Sequence, residues 1–396
     1  MTSTTTTAMR CAAALSTADD ATTAIAEVCS QALGELGEAP DFGVVFVSYH
    51  HRAEFEKIVA DLSARLPGVK LIGCTGEAII GGAREIEAKS AISLWLARMP
   101  GAVVHTMSLE YQNTPDGDSL FGWPDDLPET WPEGSVLVAF GDPFTFPAEA
   151  LLSRLNQSQP GVPVVGGMAS GGWEPGQVRL VRDGQVLTHG AVAAWISGAG
   201  SIRTITSQGC RPIGKPLVVT KAEGNVIHEL SGRSALLQLQ EVFAQLSLPE
   251  QQLVRRGLHL GQVMNEMQET FGRGDFLIRN VVDVDAMRGS LAIGDYVRVG
   301  RTVQFHLRDA DSAEEDLRLL LEAEQEQGSP PVGALLFSCN GRGTRLFSEH
   351  DHDSGAMQKF FPGLPVAGFF AQGELGPVSG KNYLHGFTAS VVLFGP

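Results

Sequence analysis

Apolar runs of strand length alternate along this chain with amphipathic helical stretches, and three times they do so in one order. From Ala334 an apolar run ends at Ser338 and breaks into Cys339-Asn340-Gly341-Arg342-Gly343. A helical patch follows, with Met357, Phe360 and Phe361 at i, i+3, i+4 spacing. After Pro362-Gly363 a second apolar run ends in Gln372-Gly373-Glu374. The pattern predicts a βαβ unit whose two strand tips share one edge of a sheet. The same outline runs from Gly43–Ser48 through a helix to Pro67-Gly68 and Gly73-Cys74-Thr75-Gly76-Glu77. It recurs from Ser135–Phe140 through a helix to Pro160-Gly161 and Val164-Val165-Gly166-Gly167.

Between these units the pattern predicts a first strand over Arg10–Leu15, after a disordered tip at residues 1–9. A helix starts at Asp19-Asp20 and turns Ile25, Val28, Ala32 and Leu36 to one face. Phe55, Ile58, Val59, Leu62 and Leu66 mark the helix of the first unit. Strands are expected at Ala91–Leu96, Val103–Leu109, Ala191–Ser197 and Val303–Leu307, with a hairpin turning at Asp183-Gly184. Residues 111–134, rich in Pro, Gly and Asp, read as a long surface loop and a lid or partner contact. Ser312-Ala313-Glu314-Glu315 reads as a capping box. The stretch Gly209-Cys210-Arg211-Pro212-Ile213-Gly214-Lys215-Pro216 falls one residue short of a phosphate-binding loop. Pro216 replaces the hydroxyl that would hold magnesium, and a strand-like run follows, so it reads as a turn between strands.

The chain has 396 residues, enough for two domains, and a composition shift near Gly232–Leu248 places the boundary: 10–232 and 233–396. The fold class expected is α/β, two domains of repeated βαβ-plus-hairpin units with mixed sheets. Hydrophobic residues make up 43% and charged residues 19%, a globular composition. A net charge of −16 argues against nucleic acid or anionic membrane as partner, and no run of 18 apolar residues predicts membrane insertion. The five cysteines contain no C-x-x-C pair, which points to reduced thiols and a cytoplasmic protein.

The Cys-Asn-Gly-Arg-Gly and Gly-Phe-Phe-Ala-Gln-Gly-Glu tips resemble the C-terminal half of the FIST family. Gly-Cys-Thr-Gly-Glu, Val-Pro-Val-Val-Gly-Gly and Gly-Cys-Arg-Pro-Ile-Gly resemble its N-terminal half, so the likeness runs from about Arg10 to the end. The resemblance implies a sensory module for a small ligand in signal transduction. Related chains carry an F-box and assemble ubiquitin ligases, and some members sense nitric oxide through haem. No kinase, cyclase, F-box or methyl-accepting segment is evident, so the output is expected to pass to a separate signalling protein.

Ligands of parallel sheets gather at the carboxyl ends of strands, where loops expose backbone N–H groups. There Cys339, Asn340, Gly341, Arg342 and Gly343 face Gln372, Gly373 and Glu374, with Cys74 and Glu77 in the matching turn of the first unit. Arg342 offers a fork to a carboxylate and Glu374 meets an ammonium group, which together suit an amino acid or similar small polar molecule. The structural alternative pairs Arg342 with Glu374. Cys339 and Cys74 are either activated thiols or buried, inert ones. Glu349-His350-Asp351-His352-Asp353 has alternating metal-type ligands but no third cluster, so a helix cap is the simpler reading. His385 is a candidate axial ligand should haem bind, against a core-edge histidine bonded to backbone. No cofactor is otherwise implied. No G-x-S-x-G or H-E-x-x-H is present, and a Cys339–His385 nucleophile pair is the one enzymatic arrangement left, so a non-catalytic protein is expected. The alternatives to a sensor are an interaction scaffold and a haem-based nitric oxide sensor.

Overall fold

A computed structural model describes residues 8–114 and 117–396. The protein is α/β, with 24% helix and 41% strand. Most of the expected disordered tip, residues 1–7, lies outside the described residues; Met9, at its end, is buried. Two compact units are formed, one by Met1–Thr206 with Leu319–Pro396, the other by Ser207–Arg318. The sequence boundary at residue 232 thus falls within the second unit, which the chain enters and leaves between two parts of the first.

The first unit opens with β1 (Arg10–Ser16), α1 (Ala21–Leu36), β2 (Phe42–Ser48), α2 (Phe55–Arg65) and β3 (Lys70–Gly76). A hairpin, β4 (Ile79–Gly81) and β5 (Arg84–Ile86), leads to β6 (Ile92–Arg98). Then come β7 (Val103–Thr114), β8 (Gly117–Phe121), β9 (Val136–Gly141), α3 (Ala148–Ser158) and β10 (Val164–Met168). A hairpin of β11 (Leu180–Arg182) and β12 (Gln185–Leu187) precedes β13 (Ala191–Ser197) and β14 (Ser201–Ser207). The second unit supplies β15 (Cys210–Glu223), β16 (Val226–Leu230), β17 (Arg233–Ser234), α4 (Ala235–Gln245) and α5 (Leu248–Arg256). It continues with β18 (His259–Val263), β19 (Phe276–Asp285), β20 (Ser290–Ile293) and β21 (Thr302–Arg308). The chain closes with α6 (Ala310–Glu326), β22 (Gly333–Cys339), α7 (His352–Phe360), β23 (Val366–Ala371), β24 (Glu374–Val378), β25 (Lys381–His385) and β26 (Ala389–Gly395).

Helix starts follow local chemistry. Asp20 caps α1 by accepting from the Thr23 N–H at 2.7 Å, and Gly37 ends it at φ +71°. At α6 the expected capping box gives way to Asp309, whose carboxylate takes the Ser312 N–H at 2.7 Å, so the helix begins earlier. The expected loop over 111–134 is corrected too. Tyr111–Thr114 extends β7, which pairs with β8 as a hairpin, and Trp131 is buried 5.9 Å from Trp195. Trp131 has apolar surface to bury, and that outweighs the Pro-Gly-Asp composition around it. Pro115 and Asp116, within that stretch, lie outside the described residues.

The first unit holds three sheets of one plan. Their orders are β1-β6-β2-β3-β11-β12, β8-β7-β13-β9-β10-β24-β25 and β14-β26-β22-β23-β4-β5. Each centres on a parallel pair (β2–β3, β9–β10 or β22–β23) joined through its helix and flanked by an antiparallel return strand. The far side of each pair is covered by a hairpin from elsewhere in the chain. The hairpin after β3 lies on β23, the one after β10 on β3, and the one after β23 on β10. The exchange is cyclic, so the three sheets close on one another. Their inward faces share a core in which Phe46, Phe140 and Phe337, one from each sheet, meet at 5.3, 5.7 and 6.2 Å between centroids. Phe369 stacks on Phe46 at 5.1 Å, and the partners of Phe46 and Phe140 on their parallel strands are the small residues Cys74 and Gly167. One extra ring fits among the three phenylalanines; each such buried side chain contributes roughly 1.5–3 kcal/mol.

In the second unit the antiparallel order β15-β21-β18-β19-β20-β16-β17 is joined again by β15 with β16, which closes a six-stranded barrel. Val219, Leu260, Ile293 and Phe305 belong to its core. The near-match to a phosphate loop lies along β15, as the strand reading requires.

Candidate functional site

The carboxyl ends of the parallel strands meet at one edge of the first unit. The Glu77 N–H after β3 donates to Ser170 Oγ after β10 at 2.8 Å, and that hydroxyl donates to the Phe370 carbonyl on β23. The Gln372 N–H reaches the Met168 carbonyl at 3.0 Å, and the Asn340 N–H reaches the Ala371 carbonyl at 3.0 Å. Arg345 binds the Asn340 carbonyl at 2.8 Å with one arm and the Glu77 carboxylate with the other. Glu77, Asn340, Gln372 and Gly373 are therefore brought together. Gly171, at φ +78°, lets the chain pass where a side chain would stand 2.6 Å from the Tyr49 Cβ.

The roles expected of Arg342 and Glu374 do not survive this geometry. Arg342 is fully buried and its fork is closed on Asp353, Nε to Oδ2 and Nη2 to Oδ1, both 2.7 Å. Its third arm faces the Phe387 carbonyl at 3.5 Å, and its plane lies 5.2 Å from the Phe347 ring. Glu374 is equally buried and accepts from the Thr388 N–H and hydroxyl at 3.2 and 2.8 Å. The next residue pattern after the turn, not the opposite strand tip, supplies the partner of Arg342. Cys74 sits in the shared core, where burial pushes its thiol well up, so it packs as a small apolar residue. Cys339 is half-buried, and its Sγ accepts from the Gly341 N–H at 3.4 Å. Gly343, at φ +57°, is required for packing, since a Cβ there would stand 2.6 Å from the Phe370 ring. His385 is buried with Nε2 3.0 Å from the Gly376 carbonyl, as a core-edge histidine bonded to backbone would be. His352 stacks on Phe347 and binds Asp353 through Nδ1 at 2.9 Å. Among the described residues no group of three or more His, Cys, Asp or Glu is arranged to hold a metal ion.

A cleft of about 890 Å³ opens beside this buried pair. Its walls come from the turn after β1 (Thr17, Asp19), His50 after β2, β5 with the segment behind it (Arg84, Lys89), and the corner before α7 (His350). Among the described residues, Arg84, Lys89 and Asp19 form no ion pair within 4 Å. Glu85 links the cleft to the buried pair. Its Oε1 accepts from the Ser354 N–H in the first turn of α7 at 2.8 Å, and its own N–H donates to Asp351 Oδ1 at 2.6 Å. Asp351 holds a left-handed conformation, φ +60°, to make that corner. Burial, then the nearby Asp353 carboxylate, pushes the Glu85 carboxyl up to about 8 against the pull of the Ser354 N–H and Arg342. Burial would raise Asp353 as well, yet the Arg342 guanidinium beside it and the His352 hydrogen bond hold it well below the usual carboxylate range. The two neighbouring carboxyls are thus shifted in opposite directions, Glu85 up and Asp353 down.

Sequence reasoning had singled out His350 and Asp351 but not Arg84, Glu85 or Lys89. The signal was the charged run Arg84-Glu85-Ile86-Glu87-Ala88-Lys89, which periodicity treats as a short exposed hairpin. Its placement beside α7 follows from the hairpin exchange, which no local pattern encodes.

The fold is an α/β one with three linked parallel pairs and a charged cleft near their carboxyl ends, a common place for ligand sites in such sheets. Comparison narrows that class. The FIST N domain matches residues 41–233 and the FIST C domain residues 235–377, and the chain belongs to the FIST family. An uncharacterized protein of Mycobacterium tuberculosis is 44% identical over 388 residues, covering 98% of this chain and 100% of that protein. One of Mycobacterium bovis is 42% identical over 388 residues, covering 98% and 99%. FIST domains are associated with sensory roles in signal transduction. Among the described residues no helix is long and apolar enough to cross a membrane.

Proposed function

We propose that this protein is a sensory module that binds a small polar molecule, an amino acid or a close analogue, and passes the state of its site to a separate signalling protein. The observation that carries this reading is the cleft beside α7, where Arg84 and Lys89 stand with Asp19 uncommitted to other ion pairs. A zwitterion presents the complementary charges, its carboxylate to the two cations and its ammonium to the carboxylate. Glu85 joins the cleft wall to the start of α7, which gives occupancy a route into the fold. This keeps the amino-acid ligand expected from the sequence but moves its contacts away from Arg342 and Glu374.

A thermal-shift screen against amino acids and organic acids tests it. A member of the screen raises the melting temperature of the wild type, and the shift is lost in an Arg84→Ala/Lys89→Ala variant of unchanged basal stability. An equal shift in wild type and variant overturns the assignment to this cleft.

A further inference from the structure

A second cleft, of about 530 Å³, lies at the opposite ends of β22 and β23, where these strands begin. Four of its wall residues are prolines, whose rings fix the backbone φ. Pro330 and Pro331 lead into β22, Pro362 and Pro365 flank Leu364 ahead of β23, and Phe361 closes the end of α7. Phe361 and Leu364 are buried to 8% and 6% exposure, so these walls are held from behind by packing. Cys11 of β1 lines the cleft as well. Burial pushes its thiol far up, so it stays protonated and presents an apolar surface. Trp95 stands behind the floor and donates its indole N–H to the Pro365 carbonyl at 3.3 Å, which ties the Leu364–Pro365 wall to β6.

Arg10, Glu324, Gln325 and Ser329 are the polar side chains at this cleft, and their commitments differ. The Gln325 side chain donates to the Phe360 carbonyl at 2.8 Å, and Glu324 is ion-paired with Arg203 at 2.8 Å. Arg10 at the rim is different: its side chain is 51% exposed and its carboxylate contact, Glu38, is 3.6 Å away. The cleft therefore combines preformed apolar walls with one accessible guanidinium. Rigid walls lose little conformational entropy when a ligand enters, and a guanidinium recognises an anionic oxygen group directionally.

We infer that this cleft is a second binding site, for a small molecule with an aromatic or other compact apolar body and a single anionic head, the body lying against the proline and phenylalanine walls and the head on Arg10. The site is independent of the proposed amino-acid cleft, with which it shares no lining residue.

The probe is 8-anilinonaphthalene-1-sulfonate, an aromatic body with one sulfonate, titrated by fluorescence into the full chain at native pH. One saturable site per chain is expected. Arg10→Ala should weaken it by about tenfold, as loss of a charge-assisted hydrogen bond implies. Ser329→Trp places an indole at an exposed position of the lining and should abolish the signal. Both positions are exposed, so both variants should keep the wild-type melting temperature. Absence of saturable binding overturns the inference. So does equal binding by the Ser329→Trp variant, which would assign the dye to apolar side chains exposed on the barrel, such as Met267, Met287 and Tyr296.

Discussion

Two of the joints that close the three sheets do the same topological task with different chemistry. Where the β24–β25 hairpin meets β10, the connection is made by neutral amides. Asn382 accepts from the Val164 N–H at 2.8 Å and donates to the Val162 carbonyl at 2.9 Å, while its backbone N–H and carbonyl exchange bonds with Asn156 of α3. Where the β4–β5 hairpin meets β23, the connection runs through Glu85 to the start of α7 and to the fully buried Arg342–Asp353 pair behind it. At the amide joint the buried carboxyl, Glu374 of β24, is held by Thr388, whereas at the other joint the buried carboxylate of Asp353 closes on a guanidinium. A buried ion pair is a poor source of net stability, because the cost of removing both charges from water consumes most of their attraction. The charged joint is also the one that borders the cleft proposed to bind an amino acid.

The comparison breaks most visibly at Asp353. Asp353→Ala leaves the Arg342 guanidinium buried without its partner and should cost about 3–5 kcal/mol in urea unfolding. Replacing both charges together, Arg342→Met with Asp353→Leu, should recover most of that loss. A loss in the single variant below about 1 kcal/mol would mean that the pair is not sealed from water as the geometry has it.

The pH response separates the joints next. The folded-state value of Glu85 is raised to about 8, so the native protein keeps a proton that the unfolded chain has released above the ordinary carboxyl range, near 4.5. Stability attributable to this group is therefore present below about 4.5 and is lost as pH rises towards 8. Unfolding midpoints measured from pH 5 to 9 should fall in the wild type and fall less steeply in Glu85→Gln. Parallel curves for the two proteins would remove Glu85 from the explanation. The depressed value of Asp353 acts in the other direction, and only in acid.

At the neutral joint, Asn382→Ala strands two backbone groups and should cost about 1–3 kcal/mol, with no change in pH dependence relative to wild type. Chemical denaturation at two pH values checks both halves of that statement. The smallest effect belongs to the cleft itself. Arg84→Ala removes an exposed side chain that makes no ion pair among the described residues, so stability should stay within about 0.5 kcal/mol while the ligand-induced thermal shift disappears.

Local physics made much of the architecture legible in the sequence. Fully apolar runs such as Gly43–Ser48 and Ala334–Ser338 lie in strands buried on both faces, and Phe55, Ile58, Val59 and Leu62 all lie on the buried face of α2. Long-range pairing was not legible. Nothing in Ile79–Ile86 says that it will lie on β23, nearly three hundred residues on, and the cleft exists only because it does. The same limit explains Arg342. Its candidate partner by strand-tip logic, Glu374, lay across the sheet edge, whereas Asp353, eleven residues on, reaches it because the chain turns back through the left-handed corner at Asp351. Trp131 was misjudged because composition describes solvent preference on average and not the one ring that packs.

Hydrogen–deuterium exchange of the full chain, with and without whichever amino acid or analogue gives the thermal shift, tests ligand recognition beside the charged joint most directly. Slowed exchange is expected in 84–90 and in the first turn of α7, residues 352–355, with the strand tips after β10 unchanged. Protection confined to the barrel, or to the proline-walled cleft at the other end of β22, would contradict it.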